Sequence, residues 1–106
     1  MADLAQHEWA TQLENDNNGV VLDVRTLEEV NQGVIPNALH IDIYRGQGFI
    51  DDIQQLDKTK NYYVYCKVGG RSGQACALMN QLGFKNAYNL LGGFSKWTGE
   101  VSSIKI

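Results

Sequence analysis

Apolar residues follow two rhythms along this chain. Val20-Val21-Leu22-Asp23-Val24 and Tyr62-Tyr63-Val64-Tyr65-Cys66 are short, nearly unbroken runs rich in β-branched and aromatic residues. That pattern suits strands buried on both faces, as in a parallel sheet. Residues 39–43 and 87–91 read as two further short strands. Between these runs the period lengthens. Ala75, Leu78, Met79 and Leu82 recur at i, i+3, i+4 and i+7, which predicts a helix over 72–82 with Gly83 at its C-terminal cap. Residues 3–15 also read as a helix, capped by Asp3, with Trp9 and Leu13 on one face. Ile50, Ile53 and Leu56 line one side of a third helix over 49–56. Thr26 and Glu29 form a capping box that opens a short fourth one.

The connections carry turn chemistry. Asp16-Asn17-Asn18-Gly19 ends the first helix, and Pro36 keeps residues 33–38 in a loop. Gly92-Gly93 turns the chain into a last helical piece through Trp97. Strands alternating with helical patterns imply βα units and a mostly parallel sheet covered on both faces. In such sheets ligands bind beyond the carboxyl ends of the strands, and Cys66 lies at one of those ends.

Composition narrows the field. A chain of 106 residues fits one domain, taken here as 1–106. With 43% hydrophobic and 20% charged residues it is ordinary globular material rather than a disordered chain. A net charge of -3 with scattered Lys and Arg argues against nucleic-acid binding. No apolar run approaches the about 18 residues of a membrane span. The N-terminus lacks the charged and apolar regions of a secretory signal, so a cytoplasmic location is expected. Two cysteines are too few for a disulfide framework or a structural zinc site, and His7 and His40 show no ligand spacing to them. No cofactor is indicated.

The chemistry concentrates in Cys66-Lys67-Val68-Gly69-Gly70-Arg71-Ser72, between a strand and a helix. A tight loop feeding a helix turns several backbone N–H groups inward and makes an anion cradle. Gly69 and Gly70 permit the backbone angles this requires. Lys67 and Arg71 add formal positive charge, and the following helix adds its positive end. These influences favour thiolate over thiol, and the thiolate is the nucleophile. An isolated cysteine at a strand end is more often an inert core residue. Two glycines and two cations in the next five positions reverse that preference.

Four segments in order resemble rhodanese-like domains. They are Leu22-Asp23-Val24-Arg25 with Glu28 and Glu29, then Gly33-Val34-Ile35-Pro36-Asn37-Ala38, the Cys66–Ser72 loop, and Leu91-Gly92-Gly93-Phe94-Ser95-Lys96-Trp97. Together they span nearly the whole chain. The resemblance implies an α/β three-layer sandwich with a central, mostly parallel five-stranded sheet flanked by helices. It implies a sulfurtransferase in which Cys66 takes sulfane sulfur from a small anionic donor such as thiosulfate. Cys66 then passes it, as a persulfide, to cyanide or a thiol. In this reading Lys67 to Ser72 cradle the sulfur, Lys67 helps bind the donor, and Arg71 holds the loop through its forked donors while also facing the anion. The six residues from Cys66 to Arg71 match the sulfurtransferase form; related phosphatases place arginine one position later, where Ser72 stands. A persulfide relay between partner proteins is the main alternative, ahead of a non-catalytic binding module. Val34 stands where the family often has histidine, and Asn37 replaces a common glycine.

Other residues read as structural. Asp23 and Arg25 suit a hydrogen-bonded clamp at a strand end, because buried polar groups need partners. Cys76 falls among Ala75, Ala77 and Met79 and suits the core rather than a resolving thiol. His7 is expected to be solvated and His40 to be a satisfied structural histidine. Trp9 and Trp97 read as core anchors.

Overall fold

The computed structural model describes residues 2–104. Its sheet has five strands: β1 (Ala2–Leu4), β2 (Gly19–Asp23), β3 (Leu39–His40), β4 (Asn61–Tyr65) and β5 (Asn86–Leu90). They lie in the order β1-β5-β4-β2-β3, and every ladder is parallel. Helices α1 (Gln6–Glu14), α2 (Leu27–Val30), α3 (Gln47–Gln54) and α4 (Gly70–Gln81) connect them, with single 3-10 turns at Ile43–Arg45 and Phe94–Lys96.

Side-chain alternation along β4 builds both core layers at once. Tyr62, Val64 and Cys66 face Phe49, Ile53, Cys76 and Met79 from α3 and α4. Tyr63 and Tyr65 face the other way, with Trp9 of α1 and Leu90 of β5. Trp9 sits edge-on to Tyr63, Tyr65 and Trp97. Each such fully buried side chain contributes roughly 1.5–3 kcal/mol. A strand buried on both faces is therefore a rigid post, and Cys66 stands at its end.

The sheet and flanking helices match the expectation, while four local readings change. The predicted helix over 3–15 begins only at Gln6; residues 2–4 are strand β1, and Ala5 caps the helix without a side-chain hydrogen bond. β1 is an edge strand whose conformation comes from pairing with β5, Ala2 opposite Tyr88 and Leu4 opposite Leu90. The expected strand over 39–43 stops at His40, and residues 43–45 coil into a 3-10 turn after Asp42, whose carboxylate accepts from the Tyr44 N–H. Helix α3 lies two residues earlier than its apolar stripe suggested, starting after Gly46 at a φ of 59°. Helix α4 begins at Gly70, so Arg71 and Ser72 lie inside its first turn. The capping box of Thr26 and Glu29 forms as read, and Gly83 follows α4 at a φ of 93°. No described helix is long and apolar enough to cross a membrane.

Candidate active site

Cys66 follows the last residue of β4 and is fully buried. Its Sγ accepts the Gly69 N–H at 3.0 Å and lies 3.3 Å from Ser72 Oγ. Gly69 makes the turn possible with a φ of 112°, a conformation that a Cβ resists even though space is available there. Burial pushes the thiol pKa up. The Ser72 hydroxyl and the N–H groups of Ser72, Gly69 and Val68 outweigh it and hold the thiol below its ordinary value. Four donor groups thus surround one sulfur, and the Gly69 N–H meets it directly.

The loop is held from behind by the Gly92–Gly93 turn. Phe94 N–H donates to the Cys66 carbonyl at 2.8 Å, and Ser95 N–H to the Lys67 carbonyl at 2.9 Å. Both carbonyls are thereby turned away from the sulfur, which leaves the loop's N–H groups to face it. Gly93 permits this approach: a Cβ there would sit 2.5 Å from the Lys67 oxygen, at a φ of 57°. The resemblance brought this segment in without a role, and the backbone contacts supply one.

Arg71 points its fork at a carboxylate. Its Nη1 and Nη2 donate to Glu29 at 2.6 and 2.8 Å, and Glu29 also accepts from the Thr26 N–H at 3.1 Å. The pair ties the first turn of α4 to the cap of α2. The Arg71 hydrogen bonds outweigh burial and hold the Glu29 carboxyl at about 2, while Glu29 raises Arg71 further above its ordinary value. Sequence reading placed Arg71 in the loop but missed Glu29 as its partner, because the two lie 42 positions apart.

Asp23 and Arg25 form the expected clamp. Arg25 donates to Asp23 through Nε and Nη2 and to the Gly33 carbonyl at 2.8 Å, and its guanidinium lies 4.3 Å from the Phe94 ring centre. His40 Nε2 sits 2.6 Å from the Arg25 carbonyl, a structural contact. Asp23 therefore spends its charge on Arg25. Lys67 and Val68 are exposed at the rim, where Lys67 joins Arg25, Glu29, Gln32, Phe94 and Ser95 around a cavity of about 200 Å³. Cys76 is buried in α4, and burial, with Asp3 adding to it, pushes its thiol up to about 12. Among the described residues no group of three or more His, Cys, Asp and Glu side chains is placed to hold a metal ion.

One polar side chain escaped the sequence reading altogether. Asn89 is 3% exposed in β5, and its Oδ1 accepts from the Ser72 hydroxyl. Its Nδ2 donates to Asp3 at 3.0 Å and to the Gly69 carbonyl at 3.2 Å. The usable hint was an amide inside an otherwise apolar strand.

Comparison with known proteins agrees with this architecture. The model of the rhodanese-like domain matches residues 6–100. A putative sulfurtransferase of Bacillus subtilis is 39% identical over 88 residues, covering 83% of this chain and 82% of the relative. A thiosulfate sulfurtransferase of Coxiella burnetii is 33% identical over 91 residues, covering 86% and 82%. The crystal structure of a rhodanese-like domain protein from Staphylococcus aureus superposes with a TM-score of 0.84 at 28% identity, covering 99% of this chain and all of that one. A parallel five-stranded sheet, a cysteine loop at its carboxyl edge and matches over most of the chain lead to one assignment: this protein belongs to the rhodanese-like family of sulfurtransferases.

Proposed function

We propose that this chain is a single-domain sulfurtransferase that carries sulfur as a persulfide on Cys66. The observation that carries the reading is the Gly69 N–H donating to Sγ at 3.0 Å, with the Ser72 hydroxyl 3.3 Å away and the Val68 and Ser72 N–H groups adding to the pull, an arrangement that favours the thiolate. In the first step the thiolate attacks the outer sulfur of thiosulfate. The donor's S–S bond breaks and sulfite leaves with the electron pair. In the second, cyanide or a thiolate attacks the outer sulfur of the Cys66 persulfide, and the electron pair of that S–S bond returns to Cys66.

The loop's N–H groups stabilise the negative charge wherever it resides, on Sγ before transfer and on the outer sulfur after it. Exposed Lys67 draws an anionic donor to the rim. Arg71 acts at one remove: its fork belongs to Glu29, so it fixes the loop and supplies positive charge without a free donor pair for the substrate. Thiosulfate as donor is supported by Lys67 and by the similarity to the Coxiella burnetii thiosulfate sulfurtransferase.

A relay that takes sulfur from one protein and gives it to another is the second reading. It is favoured by Val68 and Tyr44, 66% and 70% exposed, with Tyr44 lying 5.5 Å from the Arg71 guanidinium beside the loop.

Intact mass of the reduced protein after mixing with thiosulfate tests both. A gain of one sulfur that cyanide removes and that Cys66→Ser lacks is the expected result. No gain from thiosulfate, with ready uptake from a persulfide-bearing protein, favours the relay. No gain from either ends the sulfur-transfer reading.

A further inference from the structure

Donors and acceptors around Ser72 do not balance in a single arrangement. The Ser72 hydroxyl has one hydrogen and three neighbours that accept: Cys66 Sγ at 3.3 Å, the Gly69 carbonyl at 3.3 Å, and Asn89 Oδ1. The Asn89 amide orientation is decided by its other end. Its NH₂ group faces the Asp3 carboxylate and the Gly69 carbonyl, both acceptors, so its oxygen must face Ser72. Two oxygens in hydrogen-bond contact must share a hydrogen, and only the serine has one to give. In this arrangement the hydroxyl serves Asn89, and its lone pairs face Sγ, ready to accept from a neutral S–H. An ionised Cys66 needs the opposite, with the hydroxyl turned to donate to sulfur.

We propose that Asn89 is a positioning residue that competes with Cys66 for the Ser72 hydroxyl, holding it while the sulfur is neutral and yielding it when the sulfur is charged. This rests on the reading of Cys66 as a sulfur-carrying nucleophile. In that cycle Sγ is charged only before sulfur is taken up. Once the charge moves to the outer sulfur, the hydroxyl returns to Asn89, and the persulfide keeps the N–H cradle alone. Asp3, on β1, strengthens the hold by fixing the amide. The other charged or titratable groups near this sulfur are Arg71 and Cys76 from α4 and Lys67 from the loop. Among the described residues none of these makes hydrogen-bond contact with the hydroxyl, and the Gly69 carbonyl already accepts from the Gly73 N–H at 3.0 Å and from Asn89 Nδ2 at 3.2 Å, so the competition lies between Sγ and Asn89.

The test is a titration of the Cys66 thiolate by its ultraviolet absorbance, with Cys66→Ser as the blank, in four proteins: the parent, Asn89→Leu, Ser72→Ala and the double variant. Leucine keeps asparagine's branched outline, two heavy atoms on Cγ, without its polar atoms, and the Gly69 carbonyl keeps its bond from the Gly73 N–H at 3.0 Å, so the loop retains a tether. Freed from Asn89, the hydroxyl has only sulfur and the Gly69 carbonyl to serve, and that carbonyl still holds the Gly73 N–H, so sulfur takes the larger share. Asn89→Leu is then expected to lower the midpoint by about 0.5–1 pH unit, the worth of one competing hydrogen bond. Ser72→Ala raises the midpoint, and adding Asn89→Leu to it changes nothing further. An unchanged or raised midpoint in Asn89→Leu, or an equal fall in both backgrounds, overturns the proposal.

Should Asn89→Leu not fold, Asn89→Asp replaces it. The carboxylate is a stronger competitor, so the midpoint must rise more with Ser72 present than with alanine there. Equal rises would leave only the added charge and overturn the competition. The titration needs no sulfur donor. A shift without any persulfide in the mass experiment would sustain the Asn89 role while removing sulfur transfer, and the reverse result would remove Asn89 alone.

Discussion

Cys66 and Cys76 are both free and both fully buried, yet their thiols move in opposite directions. Burial raises both. For Cys76, inside α4, no hydrogen-bond donor among the described residues acts against burial, and its thiol rises to about 12. Cys66 is opposed by the Ser72 hydroxyl and three backbone N–H groups and ends below its ordinary value. Exposure therefore does not separate the lowered thiol from the raised one here; the supply of donors does. The sharpest way to break the comparison is to exchange the two. Cys66→Ser should abolish sulfur uptake and lower transfer by at least about 10³-fold, as loss of a covalent nucleophile does. Cys76→Ala should leave both within about twofold, since the side chain takes no part in the loop. A thiosulfate–cyanide assay on the two variants decides it, and comparable losses in both would undo the distinction.

Donors converge on Cys66 only while its loop keeps its shape, and Gly93 is where that shape is most vulnerable. Alanine there places a Cβ 2.5 Å from the Lys67 carbonyl at a positive φ. The expected loss is about 2–4 kcal/mol in denaturant unfolding, from left-handed strain plus the clash. The carbonyls of Cys66 and Lys67 should swing, their N–H partners with them, and the Cys66 titration midpoint should rise toward that of an ordinary thiol. Destabilisation without any rise would mean that the turn supports the fold but not the sulfur.

These two regions also differ in how far the sequence discloses them. Cys66, its glycine loop and the helix after it form one continuous stretch, so local chemistry is enough to find them. Strands β2 and β4 are legible for the same reason: each is a largely apolar, β-prone run that needs no partner to be recognised. Strand β1 is not, because three residues beside a helical pattern become a strand only by pairing with β5. Glu29 was visible as a capping residue, but its second duty to Arg71 depends on α2 and α4 meeting in space. Asn89 of β5 likewise reaches Ser72 of α4, and Asp3 of β1 reaches Asn89, only through the spatial order of the elements. What chain neighbours determine could be read; what strand order determines could not.

The Glu29–Arg71 pair sharpens the comparison through pH. Glu29 is held at about 2 against an ordinary 4.5, chiefly by Arg71. A carboxylate with a lowered folded value contributes stability that is complete above its unfolded value and is lost as pH falls through the folded one. The contribution should therefore be whole at pH 7 and fade between about 4.5 and 2. Glu29→Gln should cost about 1–3 kcal/mol at neutral pH, because a partly buried Arg71 loses its charged partner. Denaturant unfolding should find parent and variant converging as pH falls through that window. A constant gap down to the lowest measurable pH would show that the pair is not what stabilises the loop.

The smallest effect belongs to Cys76, and it tests the inert half of the comparison directly. The side chain packs in the layer between the sheet and helices α3 and α4, near Phe49, Ile53 and Met79. Alanine removes one buried sulfur and leaves a cavity too small for water, at a cost of about 1 kcal/mol in unfolding free energy. The Cys66 midpoint should stay where it is, because the donors that set it all come from the loop and the first turn of α4. Iodoacetamide, followed by peptide mass, should label Cys76 only under unfolding conditions, with a pH dependence set by unfolding rather than by thiol ionisation. Rapid native-state labelling of Cys76, or a shift of the Cys66 midpoint in Cys76→Ala, would mean that the two thiols communicate and that donor supply alone does not divide them.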